Sequence, residues 1–218
     1  MPPHQGHDRY PVWRDNRTMT RPAYSALSSY SRVQILRQLQ ARPRRTVPEL
    51  CKATGLHANT VREHVQRLID GGYVIAETEH RTTRGRPRVL YSAATGSAAA
   101  SSPIARRKAA DAARRGDLMR RVMPWTDAHL PADAAHQLDA LVDDLAGAGF
   151  DPVVDEAGLT IDLSPCPHAE ADGSHRAVLC AVHVGLMEGV LAEAGGPLHV
   201  AELRTTCDPS QCSVRLQE

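Results

Sequence analysis

Four cysteines sit close together near the C-terminal end of the 218-residue chain: Cys166 and Cys180 in "CPHAEADGSHRAVLC", Cys207 and Cys212 in "CDPSQC". The spacing is C-x13-C-x26-C-x4-C. Thiolates are soft ligands that suit zinc or an iron–sulfur cluster. Three readings therefore apply to these residues: a cluster, a zinc ion, or redox-active thiols without metal. The C-x2-C knuckles of zinc ribbons are absent, which counts against structural zinc. A thiol oxidoreductase would also want such a pair. His168, His175 and His183 lie in or beside the same segment. His183 follows Cys180 by one helical turn and shares its face, so it is a substitute ligand. Each histidine also reads as an ordinary surface residue. Cys51 stands apart and reads as a small buried hydrophobe.

Disulfides are not expected. The N-terminus, "MPPHQGHDRYPVWRDNRTMTRP", lacks the apolar core of a signal peptide. No run is expected to reach the roughly 20 apolar residues of a membrane span. The expected compartment is cytoplasmic, where thiols stay reduced.

The elements around the cysteines explain how they could meet. "PVVDEAGLTIDL" alternates as a hairpin, a helix follows from about Ser174 to Glu193, and "LHVAELRTT" with "CSVRLQ" forms a second hairpin. In this ββαββ order Cys166 lies just past the second strand and Cys180 lies early in the helix. Cys207 ends the third strand and Cys212 begins the fourth. The chain direction returns all four to one corner. Gly185 and Gly189 on the helix read either as small residues beneath a sheet or as a close approach of another element.

Charge divides the chain. Residues 1–95 hold 16 Lys and Arg against 7 Asp and Glu, residues 96–148 hold 7 of each, and residues 149–218 hold 3 against 11. A basic first part suits a polyanion. After a tail at 1–22 comes a helix with Leu27, Tyr30, Val33, Leu36 and Leu39 on one stripe. Thr46 and Glu49 form a capping-box signature, with Pro48 in the first turn and Gly55 at the end. "HANTVREH" opens the next helix, and two strands joined by "TTRGRP" follow. This is the order of a winged helix–turn–helix, whose second helix enters the major groove. Asn59, Thr60 and Arg62 are the expected base or phosphate contacts, with Arg62 suited to guanine. His64 reads equally as a further contact or as core. Arg81, Arg84, Arg86 and Arg88 on the wing suit the minor groove.

The expected architecture is α+β. Its parts are a tail at 1–22, a winged helix–turn–helix at 23–94, a linker at 95–102, a helical dimerisation segment at 103–148 and a ββαββ sensor domain at 149–218. The partners are a double-stranded DNA operator and a second copy of the chain, with no membrane. No Gly-rich phosphate loop, H-E-x-x-H or nucleophile elbow occurs, so no enzyme is expected.

"GLHANTVREHVQRLIDGGYVIAETEHRTTRGRPRVLYSA" resembles the N-terminal domain of the SufR-type branch of ArsR-like regulators, and "LVDDLAGAGFDPVVDEAGLTIDLSPCP", "VLCAVHVGLMEGVL" and "CSVRL" resemble that branch's sensor. The resemblance implies a dimeric repressor of iron–sulfur assembly genes holding a cluster, of the 4Fe-4S type, through cysteines. Cys166, Cys180 and Cys212 match the family's motif. Cys207 is the natural fourth ligand, at a spacing that departs from it. On this reading, cluster loss loosens the corner, shifts the helices at 103–147 and lowers operator affinity.

Overall fold

The computed structural model describes residues 27, 29–79, 87–122, 130–166, 168–205, 208 and 211–218. The tail at 1–22, the wing residues Arg81, Arg84 and Arg86, and Cys207 lie outside the described residues. Among the described residues, six helices and two small sheets make a mixed α/β arrangement.

The first three helices are α1 (Tyr30–Ala41), α2 (Val47–Thr54) and α3 (Ala58–Asp70). The Glu49 carboxylate accepts from the Thr46 N–H at 2.8 Å and from its hydroxyl at 2.7 Å. These bonds hold Glu49 below the usual carboxylate range. Gly55 ends α2 at φ 73°, a left-handed conformation that glycine adopts without steric cost. Val61, Val65 and Leu68 on α3 meet Val33, Ile35, Leu36 and Leu39 of α1 in one core. Strands β1 (Val74–Thr78) and β2 (Val89–Ala93) pair antiparallel. Arg45 and Tyr91 exchange two backbone bonds, 2.9 and 2.8 Å, which fasten this ribbon to the α1–α2 connection.

Then come α4 (Pro103–Val122) and α5 (Ala132–Gly147), packed on each other. Strands β3 (Val153–Asp155) and β4 (Thr160–Asp162) precede α6 (Gly173–Ala194), and β5 (His199–Thr205) and β6 (Cys212–Gln217) follow it. The sheet order is β3-β4-β6-β5, all antiparallel. Ile161, Leu163, Val214 and Leu216 face a second core with Leu138, Leu141, Met187 and Leu191. Leu159, expected in the strand alternation, sits in the turn before β4 at φ 47°.

Two expectations need revision. The segment 95–102 was read as a linker, yet it packs on α6. The Ser101 hydroxyl donates to Glu193 at 2.8 Å, and a side chain at Gly96 would meet the Gly189 carbonyl at 2.7 Å. The second concerns α6, which has 22 residues and a mean hydropathy of 1.6 over its most apolar stretch. By length and composition it could span a bilayer, contrary to the reading of the sequence. Here one side of α6 joins the core of the first three helices and the other side joins the sheet core.

Candidate DNA interface and cysteine pocket

At the start of α3, His57 is the N-cap and its ring accepts from the Asn59 N–H at 3.3 Å. Asn59 and Arg62 are exposed, and Arg62 donates to the Asn59 side chain at 3.0 Å. Thr60 is half-buried beside them. The polar end of α3 therefore faces outward with a guanidinium held ready. His64 is different. It is half-buried, and its Nδ1 is enclosed without a hydrogen bond among the described residues. Burial first, then the Arg32 charge, lowers its pKa. This placement favours the packing role for His64. Arg88 is exposed where the ribbon leaves the described residues, and its carbonyl accepts from the Glu79 N–H at 2.8 Å. Replacing Arg62 by alanine is expected to weaken binding to a selected duplex about 5- to 150-fold, from a loss of about 1–3 kcal/mol. Fluorescence anisotropy on matched and base-substituted duplexes checks it, because sequence preference should fall as well as affinity.

The second site lies at the far side of α6. Cys166, Cys180 and Cys212 line one small pocket together with His168, His183 and Phe150. Three separate segments supply the thiols. Cys212 opens β6, and its backbone is fixed to the chain just before Cys166. The Leu163 N–H donates to the Cys212 carbonyl at 2.8 Å, and the Cys212 N–H donates to the Ser164 hydroxyl at 3.1 Å. Cys180 enters from the first half of α6. That helix starts at Asp172, whose carboxylate accepts from the Ser174 and His175 N–H groups at 3.0 Å each.

Cys166 lies close enough to Cys180 and Cys212 to oppose their ionisation. Burial, with the neighbouring Cys166 and Cys180 sulfurs and Asp162, pushes the Cys212 thiol up to about 11. Burial and Cys166 raise Cys180. A bound cation or cluster would reverse this balance by displacing the protons.

The histidines separate. His168 and His183 stack at 5.1 Å between ring centroids, with Phe150 edge-on to His183 at 5.5 Å. Burial and then His168 lower His183 to about 4, so it is neutral at pH 7. His175 points elsewhere. It binds Asp172 at 2.7 Å and stacks on Tyr30 of α1 at 3.8 Å.

Donor type therefore suits a thiolate-held group, with Cys166, Cys180 and Cys212 as ligands and His183 or His168 beside them. Geometry adds two constraints. Among the described residues no three His, Cys, Asp or Glu side chains stand ready around a single ion. The pocket volume is about 20 Å³, room for about one water. The pocket as it stands is therefore too small for a group of several iron and sulfur atoms.

One feature had almost no signal in the sequence. The helix that carries Cys180 is built into the core of the first three helices, through Val178, Leu179, Val182 and Leu186. Gln40 of α1 donates to the Val182 carbonyl at 3.2 Å. A side chain at Gly185 would strike Gln40, and one at Gly189 would meet the Ala94 carbonyl at 3.3 Å. The two glycines thus admit helix α1 and the end of β2. Their spacing was the one hint, and the alternative of residues beneath a sheet is not what is seen.

Residues 29–75 match the family model for winged helix–turn–helix DNA-binding domains. The match runs from the residue before α1 into β1 and includes the exposed end of α3. No curated protein and no solved structure matches the chain. The chain thus carries a DNA-binding domain of the kind found in transcriptional regulators, and its partner is double-stranded DNA.

Proposed function

We propose that this protein is a homodimeric transcriptional repressor whose DNA affinity is set by an iron–sulfur cluster at the cysteine pocket. Cys166, Cys180 and Cys212 are the ligands, and Cys207 or His183 completes the set. The observation that carries the reading is the double duty of α6. One helix delivers Cys180 to the pocket and Val182 and Leu186 to the core of the DNA-binding domain. Control of iron–sulfur assembly genes rests on the family resemblance.

The bound cluster would supply redox and oxygen sensitivity and a covalent link among three chain segments. The protein does the rest. Ser164 and the backbone of Cys212 hold one wall of the pocket to β6. Asp172 fixes the start of α6. When the cysteines are drawn together or released, α6 turns or slides against α1 at the Gly185–Gln40 contact. Helix α1 packs on both α6 and α3, so the change has a direct path to the DNA-reading residues. This path stands beside the expected shift of the helices at 103–147, which also pack on α6. Zinc is the second reading, and the small pocket volume favours it.

Gly185→Leu tests the route. Its side chain displaces the Gln40 amide and so breaks the α1–α6 hydrogen bond, without removing any thiol. In the unaltered protein, loaded and stripped forms should differ in DNA affinity about 5- to 150-fold. In the variant the two forms should converge to within about threefold, a residual coupling near 0.6 kcal/mol. An unchanged ratio, at unchanged iron content, would exclude the α6–α1 route.

A further inference from the structure

A second cavity lies on the other side of α6, where the turn after α3 and the end of β2 meet α4 and α5. Its volume is about 290 Å³. It approaches the lower bound of about 300 Å³ for small-molecule sites, which favour such junctions. The walls are mostly small and apolar, with Ala109, Ala112 and Ala140 facing Leu186 and Val190.

The polar mouth shows which head group would fit. The ammonium of Lys108 donates to the Gly71 carbonyl at 3.2 Å and stands 5.5 Å from the centre of the Tyr73 ring. An aromatic face and a helix-terminal carbonyl together form a cation seat. Four carboxylates, Asp111, Asp143, Asp144 and Glu193, lie around the cavity against two cations, Lys108 and Arg115. Arg115 is paired to Asp143 at 2.6 Å, Arg114 to Asp111, and Glu193 accepts from the Ser101 hydroxyl beside Arg106. Four carboxylates against two cations still make the lining net negative, and Lys108 is the cation seated on the aromatic face.

We propose that this cavity binds a small organic ammonium compound, with the apolar body against the alanine wall and the charged head in the seat that Lys108 now fills. Gly71 and Tyr73 directly follow the DNA-reading helix, so the compound would act as an effector of DNA binding. No cysteine lines this cavity, so the proposal does not rest on which group the cysteines hold.

Amide chemical-shift mapping on the full chain tests it, with 2-phenylethylamine as probe and phenylacetate as the charge-reversed control. The amine should shift Gly71–Tyr73, Ala109 and Val190, and the acid should not. Lys108→Met removes the internal competitor and should tighten amine binding at least about threefold. Ala112→Leu fills the cavity and should abolish it. If that variant does not fold, the shift map of the unaltered chain decides alone. Shifts elsewhere or none, equal binding of the acid, or weaker binding in Lys108→Met would overturn the proposal.

Discussion

Cys180→Ser is expected to lower the iron and acid-labile sulfide of anaerobically purified protein at least about tenfold, while Cys51→Ser leaves both unchanged. Cys166→Ser and Cys212→Ser should do the same as Cys180→Ser. The reason is that each thiol comes from a different segment, so no neighbour in the chain can replace it. Cys51 packs with the first core and is remote from the pocket. Serine is close in size, and Cys180 is only half-buried, so folding should survive. The stripped variants should then bind DNA as the stripped unaltered protein does. His183→Asn separates the two candidates for the fourth ligand. It should lower loading only if the imidazole is a ligand, whereas Cys207→Ser should lower it if the thiol is. Full loading in all three cysteine variants would remove the pocket from the account.

The second large effect concerns stability. Arg120 of α4 donates to Asp139 of α5 at 2.9 Å and to Glu156, in the β3–β4 turn, at 2.9 Å. Both acid side chains are almost sealed from water, at 1% and 4% exposure, while Arg120 is at 22%. Burying two carboxylates is tolerable only with the guanidinium between them. Arg120→Met should therefore cost about 3–5 kcal/mol. At about 2–4 °C per kcal/mol for a chain of this size, the melting temperature should fall on the order of 10 °C. Arg120→Lys should lose part of this, because one ammonium cannot fork to both acids. The combined change Arg120→Met, Asp139→Leu and Glu156→Leu should recover most of it, since the charges leave together. A loss under about 1 kcal/mol for Arg120→Met would show that the triad is less buried than described. Differential scanning calorimetry measures all three.

The local elements were readable because local chemistry makes them. Thr46 with Glu49, Gly55 after α2, and the apolar stripe of α1 lie in the sequence within a turn or two of the structure they specify. The long-range contacts were not readable. Arg120, Asp139 and Glu156 are far apart in the chain, and each reads alone as a solvated charge. The same holds for Gln137. Its side chain donates to the Leu191 and Leu198 carbonyls and accepts from the Leu198 N–H, joining α5 to both ends of the α6–β5 connection. The cysteine corner was partly legible, because strand and helix directions alone bring Cys166, Cys180 and Cys212 to one end. What topology could not give was the second role of α6. Its low amphipathicity reflects this, since a helix buried on two sides has no single polar face. For His175 the sequence offered both a ligand and a surface residue, and only the fold shows its ring stacked on Tyr30 of α1.

The central claim is that the state of the cysteine pocket sets DNA affinity. It is tested most directly on one anaerobic preparation. Iron, sulfide and zinc are measured per chain, and affinity for a duplex selected from a random library is measured before and after the metal is removed. The account predicts iron with matching sulfide, little zinc, and an affinity that falls about tenfold or more on removal. Zinc without sulfide, or an affinity that does not change, would contradict it.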